Sequence, residues 1–351
     1  MTFTRRGKIT IGVGAVVAIL AGVGVLVLTG NTPAVLRNVV DTITGDSSPE
    51  PPPPPCPLTG LQARGGAVPE RGVLAVKVEN APEARPQAGL EKADVIYEEP
   101  VEGGLTRFIL LFQCADTDRV GPVRSARTTD PDVLLQYGTP PIAYSGSARK
   151  VRRAIAEADL VGLTESTAPG AFARDPSRSA PHNLYATTKR LYEAAETGEI
   201  PAPVFSFSRR SPGGRKVGSI HLNFSWSSDV YWSWSKRDRA WLRFHGDDAH
   251  VLESGDQVSV ANVVVQVVEV HAGEIIDAAG NPSPEVTLTG SGKAFVFRDA
   301  QVVVGRWERA DLSDITTFTT KAGEEIKLAP GRTWVELFPS TLDVETAKRP
   351  R

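Results

Sequence analysis

Cysteine, histidine and methionine are scarce in this chain: its 351 residues hold two Cys, five His and one Met. Two cysteines exclude a disulfide-rich scaffold and a four-Cys zinc site. An excess of one charge is also missing. The 39 basic and 41 acidic side chains leave a formal net charge of −2, which excludes a nucleic-acid binder working through bulk electrostatics. A hydrophobic share of 41% with 23% charged residues excludes wholesale disorder. Glycine and proline, by contrast, are plentiful at 32 and 27 residues, which favours turns and short strands over long helices.

Charge disappears altogether between Ile9 and Thr29. About twenty apolar residues span a bilayer as a helix. Arg5, Arg6 and Lys8 precede the run, so positive charge keeps residues 1–8 cytoplasmic, residues 9–29 form a transmembrane anchor, and the remainder is extracytoplasmic. A cleaved signal peptide has a shorter core of about 7–15 residues, and Thr32-Pro33-Ala34 is a poor cleavage site. Leu20-Ala21-Gly22 resembles the start of a lipid-attachment signal, but Val23 stands where a lipidated Cys is required. The expected location is therefore the cell membrane, single-pass. Residues 30–57 read as a stalk, because the proline run within Ser47–Pro57 forces an extended backbone. Outside the cytoplasm a disulfide between Cys56 and Cys114 is chemically permitted.

Beyond the stalk two halves differ in pattern. In residues 58–200, β-rich runs at 73–78, 93–98, 106–113 and 142–145 alternate with helix signals at 130–137, 147–159 and 187–197. This mixture makes the class α/β or α+β. Residues 201–215 are the natural connection. In residues 216–345 the helix signal fades, and runs such as 219–226, 230–234, 258–270, 293–297, 302–307 and 333–338 read as strands. Residues 346–351 are a tail. Trp232 and Trp234 share a strand face that reads as core, with a sugar platform as the less favoured alternative.

The chemistry-bearing residues lie mainly in loops. Arg107, Arg124, Ser125, Arg127, Arg174, Asp175, His182 and Asn183 are the candidate ligand-binding set. A guanidinium pairs bidentately with carboxylate or phosphate, and a histidine titrates near neutrality. The competing structural reading makes Arg124, Arg127 and Asp175 an internal ion-pair network that holds long loops. Enzyme motifs are weaker. Ser147-Ala148-Arg149-Lys150 matches Ser-x-x-Lys without its companion elements. Ser125, His182 and Asp175 have the residue types of a triad, but Ser125 lacks a Gly-x-Ser-x-Gly context. Gly290-Ser291-Gly292-Lys293 lacks the first glycine of a phosphate-binding loop. His245 to His250 reads as a solvated hairpin turn rather than a metal site.

The ordered series Pro57-Leu58-Thr59-Gly60, Ala84 to Leu90, Ala93 to Glu98, Val101 to Arg107, Gly121 to Arg127, Arg174-Asp175 and Ala180 to Asn183 resembles the YerB-like family of bacterial envelope proteins. Ala261-Asn262-Val263, Gly290-Ser291-Gly292, Gly305-Arg306-Trp307 and Pro330 to Trp334 fit its C-terminal part. The resemblance covers nearly everything after the stalk. It implies a layered sandwich of β-sheet and helices with a β-rich C-terminal region, and it transfers no catalytic residue. Many relatives resemble lipoproteins; here the protein anchor replaces the lipid. The combined expectation is an extracytoplasmic binding or accessory protein without a cofactor, recognising an anionic ligand, a cell-envelope polymer or an envelope protein through the Arg-rich loops. The alternative is an envelope hydrolase using His182 and Asp175, with Ser125 or a metal.

Overall fold

Runs of β-branched and aromatic residues make strands the main regular element of the described residues, and the apolar positions on both strand faces require cover on each side. The computed structural model describes residues 53–351 apart from Arg64, Glu196 and Ala278. The expected anchor and most of the stalk lie outside the described residues. Among the described residues no helix is long and apolar enough to cross a membrane. The stalk ends earlier than its proline content suggests: Pro53 to Pro55 are exposed, whereas Cys56, Pro57 and Leu58 are buried. The disulfide is formed, joining Cys56 to Cys114 across 58 positions of sequence.

The strands in chain order are β1 (Leu74–Glu79), β2 (Val95–Pro100), β3 (Thr106–Phe112), β4 (Ile142–Ala143), β5 (Gly162–Leu163), β6 (Phe172–Arg174) and β7 (Leu184–Ala186). They continue with β8 (Arg215–Lys216), β9 (Ser219–Ser225), β10 (Ser228–Ser235), β11 (Ala240–His245), β12 (Asp248–Ala249), β13 (Ser259–Val260) and β14 (Asn262–Val268). The last are β15 (Val270–Ile276), β16 (Pro282–Val286), β17 (Gly290–Arg298), β18 (Gln301–Arg309), β19 (Thr317–Thr320), β20 (Thr333–Pro339) and β21 (Glu345–Ala347). Three short α-helices interleave: α1 (Thr129–Leu134), α2 (Arg149–Glu157) and α3 (Thr188–Ala194). The fold is thus α+β, strand-rich and poor in helix.

One 11-stranded sheet runs β19-β18-β17-β14-β20-β2-β3-β1-β4-β5, with β8 also on β18. The halves share it, because β20 lies parallel between β14 and β2. Its two faces carry different cores. Phe108, Leu110, Phe112 and Trp334 meet Trp232, Trp241, Ile220 and Leu222 from the smaller sheet. Ile109, Leu111 and Tyr97 meet Val133 and Leu134 of α1 and Val151 and Ile155 of α2. Trp232 and Trp241 are completely buried and Trp234 partly so, as a core face requires. Gly290 to Lys293 simply begin β17.

Candidate functional site

The strand period of two places Lys77 and Glu79 of β1 on one face, and cross-strand register sets Arg107 of β3 between Glu79 and Glu99 of β2. This is the face that carries Ile109 and Leu111 and meets α1. Beyond the short β4 pairing, the edge of β1 is taken by the segment after Gly121: Glu79 N–H donates to Pro122 O, and Arg124 N–H donates to Lys77 O. The β6–β7 hairpin lies beside that segment, since Val123 N–H donates to Leu184 O. Loops distant in sequence therefore converge on one end of the sheet.

Glu79 is the junction. Its carboxylate accepts from Arg124 Nε at 2.8 Å on one oxygen and faces His182 Nδ1 at 2.8 Å on the other. The Glu79 side chain is 5% exposed, against 26% for Arg124 and 23% for His182. Arg124 and His182 thus screen the acid from solvent while Nη1 and Nη2 of Arg124 and Nε2 of His182 keep no protein partner among the described residues. Arg124 does not reach Asp175, contrary to the ion-pair network envisaged from sequence. Asp175 instead pairs with Arg119 at 2.5 Å and accepts from Ser177, which hold its carboxyl down at about 2.

The remaining arginines divide by role. Arg127 is consumed internally: Nε and Nη2 donate to Glu102 at 3.0 and 2.6 Å, and Nη1 donates to Ala126 O at 2.8 Å. Burial raises the Glu102 carboxyl, but the Arg127 contacts outweigh it and hold the group below its usual range. Arg174 donates to Asn183 Oδ1 at 3.0 Å and to Glu165 at 2.5 Å, and Asn183 donates weakly to the backbone of Asp175 and Arg178. These contacts brace the 175–183 loop. Arg107 is different. It is 8% exposed, donates Nη1 to Ser125 O at 3.0 Å, and forms no ion pair among the described residues. Burial first, then the like charge of Arg127, lowers its pKa to about 10.

Beneath these groups lies a charge triad that sequence reasoning missed. Lys77 is fully buried, ion-paired to Glu99 and, at 2.7 Å, to Asp130, both also fully buried. Asp130 accepts from Arg127 N–H through its other oxygen at 2.7 Å. Burial, opposed by Lys77, pushes Glu99 up to about 7. A second missed network crosses to the smaller sheet. Arg243 of β11 donates to both oxygens of Glu98 at 2.9 and 2.8 Å, all without exposure. Trp334 Nε1 and Thr106 Oγ1 also donate to Glu98, and His250 contacts both Arg243 and Gln87. The 245–250 segment is the expected hairpin, yet His250 is 1% exposed rather than solvated. Burial and the adjacent Arg243 keep its imidazole neutral by driving its pKa far down. The signal available in sequence was a charged residue inside an apolar strand run, as at Lys77, Glu98 and Arg243.

The triad of the hydrolase alternative is not assembled. Ser125 Oγ donates to Ser145 O at 2.9 Å, His182 faces Glu79, and Asp175 faces Arg119. Among the described residues no three His, Cys, Asp or Glu side chains are grouped to hold a metal. What the geometry offers is two guanidiniums and an imidazole with open donors around one satisfied carboxylate.

Known proteins share this arrangement of chain. Residues 58–201 match the family model described as "Protein of unknown function (DUF3048) N-terminal domain", and residues 220–335 match the corresponding C-terminal domain. The "Putative lipoprotein YerB" of Bacillus subtilis (strain 168) is 29% identical over 299 residues, covering 81% of this chain and 86% of that protein. The crystal structure of YerB from Bacillus subtilis matches with a TM-score of 0.73 at 24% identity, over 84% of this chain and 99% of that one, and supports the fold. This chain belongs to the DUF3048 family, with the N- and C-terminal domains in that order.

Proposed function

We propose that this protein is a membrane-tethered extracytoplasmic accessory protein that holds an anionic group between Arg107, Arg124 and His182. The carrying observation is Arg107, a nearly buried cation without a carboxylate partner among the described residues. An unpaired buried charge is costly to a fold unless something else compensates it. Its neighbour Arg124 spends only Nε on Glu79, so the two guanidiniums keep open N–H donors. Bidentate donors of this kind fit a phosphate or carboxylate. The apolar segment 9–29 provides the tether in this reading. A relative is named a "Putative lipoprotein", whereas Val23 of this chain cannot be lipidated.

The test is thermal unfolding of the full-length chain in detergent, with sodium phosphate or sodium chloride at equal ionic strength. Phosphate at ten times its dissociation constant stabilises by about 1.4 kcal/mol through mass action. That gain should vanish in Arg107→Met and persist in Arg174→Ala. A phosphate effect retained in Arg107→Met refutes the site. For the tether, full-length chain in the membrane fraction supports the reading, whereas a mature N-terminus after Ala34 overturns it.

A further inference from the structure

Beside the arginines runs a groove of about 420 Å³ at the carboxyl ends of the parallel strands β4 and β5. Ligands in sheets with parallel strands commonly settle at such strand ends. The groove is joined to the arginine site through the backbone of residues 124–126. Ser125 O accepts from Arg107 Nη1, while Ser125 Oγ donates to Ser145 O and Ala126 N–H donates to Gly146 O at 3.2 Å. Its walls carry hydroxyls from Ser145, Thr164, Ser166 and Thr167, the last three hydrogen-bonded to one another, together with the Arg152 guanidinium and the Glu165 carboxylate, which is paired with Arg174. No Leu, Ile, Val, Met or Phe side chain lines it.

That composition discriminates between ligand classes. A peptide groove needs apolar pockets for alternate side chains, beside a strand edge or helix-sized trough. This groove offers short hydroxyls, which can donate and accept at once, and the carbon surface of threonine methyls and the Tyr144 ring. Ser147 Oγ is buried without a hydrogen-bond partner, a state that usually has a specific cause. A ring or chain bearing several hydroxyls would satisfy both the hydroxyls and the carbon surface.

We infer that the groove is a subsite for a polyhydroxylated body, so that the ligand is a glycan or polyol carrying a phosphate or carboxylate. The inference rests on the reading that Arg107 and Arg124 hold the anionic group. The anion seats at Arg107 and Arg124, and the adjoining sugar or polyol unit lies over Ser145 to Ser147 and Thr164 to Thr167.

Calorimetric titration of the full-length chain in detergent tests this with four probes: inorganic phosphate, glucose 1-phosphate, glucuronate and a tri-aspartate peptide. At least one sugar anion should bind ten-fold or more tightly than inorganic phosphate, and which one it is identifies the anionic group. Ser166→Trp, at an exposed position on the groove wall, should bring the sugar anion down to the affinity of phosphate while leaving phosphate itself unchanged. Arg107→Met should abolish both. If phosphate binds but neither sugar anion binds more tightly, the groove inference is overturned and the anion site stands. A ten-fold preference for the acidic peptide overturns it as well. If no probe binds, or Arg107→Met leaves all binding intact, both readings are wrong. A melting temperature unchanged in Ser166→Trp confirms that its loss is local.

Discussion

Replacing Arg107 by Met should leave the fold at least as stable while removing anion binding, and the structure supplies the magnitude. Burial and the charge of Arg127 bring the Arg107 pKa down to about 10. At 1.36 kcal/mol per pH unit, that lowering corresponds to about 3 kcal/mol of penalty on the charged form. The sign follows from proton linkage. A base whose folded pKa is lowered holds fewer protons folded than unfolded only above about pH 10, so at pH 7.5 the penalty is present in full. Methionine removes it and keeps most of the stem packing. It also removes the hydrogen bond to Ser125 O, a charge-assisted bond worth about 1.5–3 kcal/mol. The net change lies between zero and a gain of about 1.5 kcal/mol. With about 2.1 cal/mol/K per residue, a unit spanning Pro53–Arg351 has an unfolding entropy near 0.6 kcal/mol/K. The melting temperature should therefore stay level or rise by up to about 3 °C. Arg127→Met is the contrast. It strands Glu102, whose side chain is 7% exposed, and breaking such a buried pair costs about 3 kcal/mol, or about 5 °C. Scanning calorimetry beside phosphate titration reads both variants. A loss of several degrees in Arg107→Met with phosphate binding retained would refute the assignment of Arg107 as a ligand residue.

Arg243→Met should destabilise by about 3–5 kcal/mol, because it leaves the unexposed Glu98 carboxylate with only neutral donors; adding Glu98→Gln should recover part of that loss in urea unfolding, and full additivity of the two changes would disprove the pairing. Reducing the Cys56–Cys114 bridge, which closes a long loop, should cost about 2–4 kcal/mol; an unchanged melting curve in reductant would show that the bridge does not constrain the chain. Stability should fall as pH rises from the ordinary carboxylate range through about 7, because the folded state holds a proton on Glu99 that the unfolded state releases earlier. Asp132, raised by burial to about 6, acts in the same direction. The urea midpoint of Glu99→Gln should depend less on pH between 5 and 8 than the parent's, and equal slopes would rule the triad out as the source.

Strands were legible because their cause is local. Val73 to Val78 and Thr106 to Gln113 carry short, nearly continuous apolar runs that fit a strand covered on both faces, and β1 and β3 form there within a residue or two. Thr187 was legible as the start of α3 for a similar reason, since its side chain accepts from Arg190 N–H in the next turn. The arginine-dense loops also stood out, because such composition is unusual without a partner. Which partner each arginine takes was not legible. It depends on β1, β2 and β3 lying side by side in one register, and on the 121–124 segment taking over the β1 edge beside the β6–β7 hairpin.

Sequence alone determined most of the elements, the two cysteines available for a disulfide, and the set of side chains whose chemistry suits donation to an anion. Tertiary structure decided which of them remain free to do so. Arg127 and Arg174 are spent on Glu102, Glu165 and Asn183, while Arg124 is spent only in part and Arg107 not on any carboxylate among the described residues. It also decided that the halves share one sheet, since β20 pairs parallel with strands from both. Pairing across more than two hundred positions leaves no local mark, because a strand's residues report that it will be paired and covered but not by what.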